Sequence, residues 1–267
     1  MDFLEAVVLA LIQGITEWLP ISSEGVSSLF MINFFNMNLV DAVFLSGWLH
    51  TGTLLAAVLY FWSDVKAILK NLPNYIRNPR NSEGFSGLTN FLLISTFLTA
   101  LIGAPLVLFG LESLDAMNFG GHAAMAFIGG LLIITGVMQK FIRPSSIVSD
   151  SPRISDAIIV GIIQAFAVLP GLSRSGLTTS TLLLRKHDPE YALKLSFLMS
   201  IPAVLVAEIG ILISGKVALD VFSAVAVVVA FLMGLLTLGS LLKVAQKVNF
   251  GWFCIILGAI GMLSVLI

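Results

Sequence analysis

Six stretches of the chain, residues 40–62, 88–110, 119–139, 190–213, 220–242 and 249–267, are apolar almost throughout and are bounded by charged, glycine-containing or asparagine-containing segments. A helix that crosses a bilayer needs about 20 mostly apolar residues, so each stretch predicts a transmembrane span. Two further apolar stretches carry polar residues at their centres. Residues 3–38 hold Gln13, Glu17, Pro20, Ser22, Ser23, Glu24 and Gly25, and residues 156–184 hold Gln164, Pro170, Gly171, Ser173, Arg174, Ser175 and Gly176. Each half of such a stretch is about 13–17 residues long, too short to cross the hydrocarbon at about 1.5 Å per residue. The central proline and glycine break the helix and release backbone hydrogen-bonding groups. Such backbone survives at membrane depth only where protein covers it or where it lines a wet cavity. Both stretches therefore predict re-entrant helix–turn–helix hairpins.

The hairpins share a spacing. Gln13 to Gly25 and Gln164 to Gly176 are each twelve residues apart, Ser22 aligns with Ser173, and the prolines align after a slip of one. Three spans follow each hairpin. A hairpin plus three spans makes an odd number of crossings, so the second copy enters the membrane from the opposite side. Paired, interrupted helices in corresponding halves mark an inverted repeat with a site near the midplane. The expected fold is an all-α polytopic membrane protein of one domain, residues 1–267. In it an inverted-topology repeat of 1–139 and 156–267 sets a hairpin and three spans in each half.

Charge supports the layout. With both termini outside, Lys66, Lys70, Arg77, Arg80, Lys140, Arg143, Arg153, Arg185, Lys186, Lys194, Lys243 and Lys247 fall inside, twelve of the fourteen basic residues. Outside receives Lys216, beside the acidic Asp2, Glu5, Glu112 and Asp115. That asymmetry is the positive-inside rule. A multi-pass plasma-membrane protein is expected. The longest polar stretch, Ser63 to Ser86, reads as a cytoplasmic loop, and His122 and His187 fall at expected loop positions, in solvent. Composition agrees: 58% hydrophobic and 11% charged residues, against roughly 25% charged in a soluble domain, exclude a soluble enzyme, a disordered chain and a nucleic-acid binder. The start, Met1-Asp2-Phe3-Leu4-Glu5, is acidic where a cleavable signal peptide would be basic. Cys254 is alone, so no disulfide is expected.

Ionisable groups at membrane depth cost about 2.5–3.5 kcal/mol each on insertion scales and point to function. Here they are Glu17, Glu24, Arg174 and Glu208, with His50 beside them. Glu208 lies near the outer end of its span, where it is expected to snorkel. If the hairpins meet at the midplane, Glu17, Glu24 and Arg174 converge. The turn Pro170-Gly171-Leu172-Ser173-Arg174-Ser175-Gly176 leads into a helix start, where free N–H groups and the dipole favour an anion. Arg174 adds a planar fork that suits phosphate. Pro20-Ile21-Ser22-Ser23-Glu24-Gly25 supplies a second such start, and together they outline a phosphate or diphosphate cage. Glu17 then either holds a divalent metal beside the phosphates or acts as a base toward a hydroxyl or water. His50 either bonds a neighbouring helix or sits at the edge of the site. A bare structural pairing of Arg174 with Glu17 is the plainer alternative.

The two motifs, Gln13-Gly14-Ile15-Thr16-Glu17-Trp18-Leu19-Pro20-Ile21-Ser22-Ser23-Glu24-Gly25 and Leu169-Pro170-Gly171-Leu172-Ser173-Arg174-Ser175-Gly176, resemble the signatures of the undecaprenyl-diphosphate phosphatase family, the bacitracin-resistance type. Length, span pattern and spacing are similar along the whole chain. The resemblance implies hydrolysis of a long-chain polyprenyl diphosphate to the monophosphate and phosphate, recycling a lipid carrier of envelope glycan synthesis. It implies an outward-facing site and a divalent cation, Mg²⁺ or Ca²⁺, with Glu17 as its residue. It also implies Glu17, Ser23 and Arg174 as catalytic, with Ser22, Gly25, Ser173, Ser175, Gly176, Gln13, Gln164, Glu24 and His50 around the substrate. The partners expected are the lipid and the bilayer, with no nucleic acid and with room for a homo-oligomer. Gln13 stands where the family usually has a second glutamate, Val26 where it has a histidine, and Glu24 where it has a threonine. Glu24 and His50 compensate, or catalysis is slower, or the scaffold serves as a polyprenyl-phosphate flippase or anion transporter.

Overall fold

The computed structural model describes residues 2–77, 86–110, 120–142, 151–217 and 220–266. Arg80, Arg143, Glu112 and Asp115 of the charge count, and the first residue of the 119–139 span, lie outside them. The described residues are helical apart from their turns and connections. Five helices are long and apolar enough to cross a membrane: α3 (Leu39–Tyr60), α5 (Ser86–Pro105), α6 (Gly121–Phe141), α9 (Pro189–Ser214) and α10 (Val221–Lys247). The chain is a multi-pass membrane protein.

The interrupted stretches form pairs of short arms. α1 (Phe3–Thr16) and α2 (Ser23–Phe35) make the first, and α7 (Ile154–Ala165) and α8 (Arg174–Leu184) the second. Local signals set their ends. Asp2 and Glu5 form a capping box at α1, and Asn36 closes α2 in the left-handed region at φ 51°, a conformation asparagine tolerates.

Two expectations change. The sixth apolar stretch, 249–267, holds a shorter helix, α11 (Gly251–Leu263), continued by a single 3₁₀ turn. Its start is delayed because the Asn249 side chain accepts from Gly251 N and donates to the Gln139 carbonyl. The stretch read as a loop contains a helix, α4 (Trp62–Arg77). Its charges and Pro73 obscured an amphipathic pattern whose inner side, Val65 and Ile68, packs on the core.

α6 and α11 run antiparallel with their backbones in contact. A Cβ added at Gly258 would lie 2.4 Å from the Gly129 carbonyl oxygen, and one at Gly136 2.5 Å from that of Gly251. Without a hydrophobic force between helices in lipid, such close approach is what dispersion requires. α3 packs along α10 and α9, α1 along α10, and α7 along α5. Lys194 pairs with Asp64 at 2.8 Å, tying α9 to α4. At the base of the second hairpin, buried Asp156 accepts from Arg185 Nε at 2.6 Å and lies 3.0 Å from His187 Nε2. His187, expected in solvent, is therefore buried: Asp156 draws it in to close the hairpin. His122 is exposed, in the first turn of α6.

Gly258→Val is expected to weaken the fold by about 1–3 kcal/mol through overpacking, read as a fall in Tm in detergent. Gly130→Ala, where an added Cβ meets nothing within 4 Å, is expected to leave Tm unchanged or slightly raised.

Candidate functional site

The site begins with how the two hairpins turn. α1 ends at Thr16, and its last turns carry Gln13 and Glu17 four residues apart, on one face. The chain then bends through Trp18–Ile21, and Ser22 adopts φ 62°, unusual for a serine. There its hydroxyl caps α2, accepting from Gly25 N at 3.1 Å. Ser173 caps α8 in the same way, accepting from Gly176 N at 3.1 Å. The shared spacing in the sequence thus corresponds to a shared cap.

The two turns interlock. Gly171 N donates to Ser22 Oγ at 3.1 Å, so one hydroxyl serves backbone of both hairpins. A Cβ on Gly25 would lie 2.8 Å from Gly171 Cα, so only glycine allows this approach. Gly171 itself sits at φ 108°. α6 braces both turns from one face. Thr135 Oγ1 donates to the Gly171 carbonyl at 2.9 Å and accepts from Ser173 N at 3.1 Å. Gln139, one turn on, donates to the Pro20 carbonyl. Sequence reasoning passed over Thr135 and Gln139; the signal was a polar pair at i, i+4 inside an apolar span.

At the meeting point Glu17 is buried, and both its oxygens are engaged. Oε1 accepts from Arg174 Nη2. Oε2 accepts from Ser23 Oγ at 2.6 Å and from Gln13 Nε2 at 3.0 Å, and lies 3.2 Å from His50 Nε2. His50 Nδ1 is 2.9 Å from the Ser46 carbonyl. A carbonyl only accepts, so Nδ1 carries its proton, and Nε2 faces Glu17 and Ser23 as the titrating nitrogen. Ser23 Oγ is 3.5 Å from it. The Arg174 guanidinium also lies 5.4 Å from the Phe197 ring centroid, and its Nη1 is buried without a hydrogen-bond partner. A buried donor left unpaired costs about 1–3 kcal/mol or more when charged, so Arg174 has spare capacity for an anion.

These groups open on a small cavity whose wall includes Glu17, Ser22, Ser23, Glu24, His50, Ser173, Arg174 and Ser175. Gln13 lies behind Glu17. Gly25 is in the interlock, and Gly176 abuts Gln139, 2.9 Å from where its Cβ would stand. Gln164 lies elsewhere, donating to Thr99 Oγ1 at 3.0 Å. Glu208 does not snorkel: it is buried and accepts from Thr51 Oγ1 at 2.8 Å, beside His50 on α3. A second cleft, between α3 and α9, reaches Glu17, His50 and Arg174 past Leu54, Ala57 and Val204. Among the described residues no three His, Cys, Asp or Glu side chains form a metal cage by themselves. Glu17 is saturated by its neighbours, whereas the Glu24 carboxylate lines the cavity.

The family described as bacitracin resistance protein BacA matches residues 6–262. The chain is 49% identical to the undecaprenyl-diphosphatase of Methanococcoides burtonii over 97% of each chain. It is 37% identical to that of Haloarcula marismortui, over 98% of this chain and 96% of the relative. To that of Methanothrix thermoacetophila it is 38% identical over the same shares.

Ser22→Ala leaves the Gly25 and Gly171 N–H groups without their acceptor and is expected to weaken the fold by about 1–3 kcal/mol. Faster amide exchange at Gly171 and a lower Tm are the readouts; exchange unchanged at Gly171 would refute the interlock.

Proposed function

This chain belongs to the bacitracin resistance protein BacA family, and from that premise we propose that it hydrolyses an undecaprenyl-type polyprenyl diphosphate to the monophosphate and phosphate, recycling a lipid carrier for envelope glycan synthesis. One observation carries the reading: Arg174, Glu17 and Ser23 form a continuous hydrogen-bonded chain across the two hairpin turns, at the wall of a cavity. A bare structural ion pair needs neither the serine nor the cavity. Membership of the family does not favour the flippase and anion-transport alternatives.

In this reading the diphosphate occupies the cavity, against the α2 and α8 N-termini and Arg174, while the prenyl chain leaves through the cleft between α3 and α9, past Leu54, Ala57 and Val204. Ser23 Oγ attacks the terminal phosphorus. Its proton passes to Glu17 Oε2, on which it already bears, and from there to His50 Nε2 at the same oxygen. The bond from that phosphorus to the bridging oxygen breaks, and the lipid monophosphate departs with the electron pair and takes up the proton from His50 Nε2, which is left neutral. Water then hydrolyses the phosphoserine with His50 as base, and Ser23 recovers its proton. Arg174 stabilises charge on the transferring phosphoryl group throughout, the main demand of this chemistry. His50 reaches Ser23 from α3, while Val26 leaves α2 without a titratable group at that place.

A divalent cation, Mg²⁺ or Ca²⁺, belongs to the proposal, and the carboxylates on the cavity wall would hold it. Glu17 and Glu24 are the carboxylates at hand, and a bound cation would offset phosphate charge. We also infer that the halves 1–139 and 156–267 are inverted repeats with both termini outside. The matched Ser22 and Ser173 caps support this, as does the packing of α1 on α10 and of α7 on α5.

The purified protein is expected to release phosphate from a polyprenyl diphosphate. Arg174→Ala and Glu17→Gln should each lower kcat by about 100- to 1,000-fold, and His50→Gln by about 100-fold. Movement of labelled polyprenyl phosphate across proteoliposomes without hydrolysis would favour a flippase instead. EDTA is expected to suppress phosphate release and Mg²⁺ or Ca²⁺ to restore it; undiminished release in EDTA rejects the cation.

A further inference from the structure

α4 starts two residues after α3 ends, where the chain leaves the membrane, and is held in one orientation. Asp64 faces Lys194 at 2.8 Å, Val65 and Ile68 pack on the core, and the Tyr75 hydroxyl donates to Asn90 of α5. Beside this packed side runs an uncovered apolar stripe. Trp62, Leu69 and Ile76 recur every seven residues, hence on one face, and are 49%, 56% and 69% exposed. Lys66, Lys70 and Arg77 flank this stripe, all exposed, and none pairs with a carboxylate among the described residues. The one acid of the helix, Asp64, is turned away and already neutralised.

We propose that α4 is an interfacial helix, seating its Trp62–Leu69–Ile76 stripe in the leaflet at the basic face and binding anionic lipid headgroups through Lys66, Lys70 and Arg77. An apolar stripe bordered by cations suits the boundary between acyl chains and headgroups, where tryptophan is also enriched. A second copy of the chain would set cations against cations; anionic headgroups supply the complementary charge. The position is fixed by continuity with α3, whose end marks the level of the interface.

The test uses the full chain with Cys254→Ala and one fluorophore, attached through Leu69→Cys or Asn74→Cys, in phosphatidylcholine nanodiscs with brominated lipid. The fluorophore at 69 should be quenched several-fold more than that at 74, on the far side of the helix. Equal quenching overturns the seating. Brominated phosphatidylglycerol should quench position 69 more than the same fraction of brominated phosphatidylcholine, and each cation neutralised to Gln should reduce that preference about fivefold at low salt. No anionic preference, or one unchanged on neutralisation, overturns headgroup binding. Monodisperse elution identifies folded variants, and Lys70→Gln alone carries the comparison if the Lys66 and Arg77 variants misfold.

Discussion

Glu17 and Arg174 meet inside the protein, largely shielded from solvent, where each charge depends on the other. Removing one partner of a buried pair costs about 3–5 kcal/mol, because the other is left uncompensated. Side chains this short of alternatives need backbone brought to them. The chain provides it with two broken helices whose turns touch. The glycines at 25 and 171 follow from that need, as does the left-handed Ser22, whose hydroxyl takes an N–H from each hairpin. So does the apolar helix α6, which spends two polar residues on bracing the turns.

The two charges are not treated alike. Glu17 has both oxygens engaged, one by a guanidinium and the other by a hydroxyl, an amide and an imidazole. Arg174 has one nitrogen satisfied and one bare. A carboxylate engaged on both oxygens holds Ser23 and His50 in place. A half-satisfied cation is an invitation to an anion. The chemistry proposed for the site rests on that difference more than on the pair itself.

Much of this was legible because a polar residue inside an apolar run is conspicuous. Gln13, Glu17, Ser22, Ser23 and Arg174 announced the broken hairpins, and the twelve-residue spacing anticipated the matched caps. What escaped depended on partners distant in the chain. Glu208 looked free to snorkel until Thr51, on another helix, took its carboxylate. His187 does lie in a connection between helices, but nothing local reveals that Asp156 will bury it. Gln164 was matched to Gln13 by spacing, but it bonds Thr99 on α5. α4 was hidden because a helix half on protein and half outward has too many charges to read as core and too many apolar residues to read as loop.

The ion pair joins residues 157 positions apart, which bears on the order of synthesis. Glu17 leaves the ribosome with the first hairpin, while its counter-charge is still uncoded on the growing chain. A lone carboxylate at membrane depth costs about 2.5–3.5 kcal/mol, so the first hairpin gains from staying neutralised or held toward water through the insertion of α3, α5 and α6. The hairpin that opens the chain is thus among the last parts to reach its place. Its docking against Arg174 completes the cavity, whose wall draws on both hairpins.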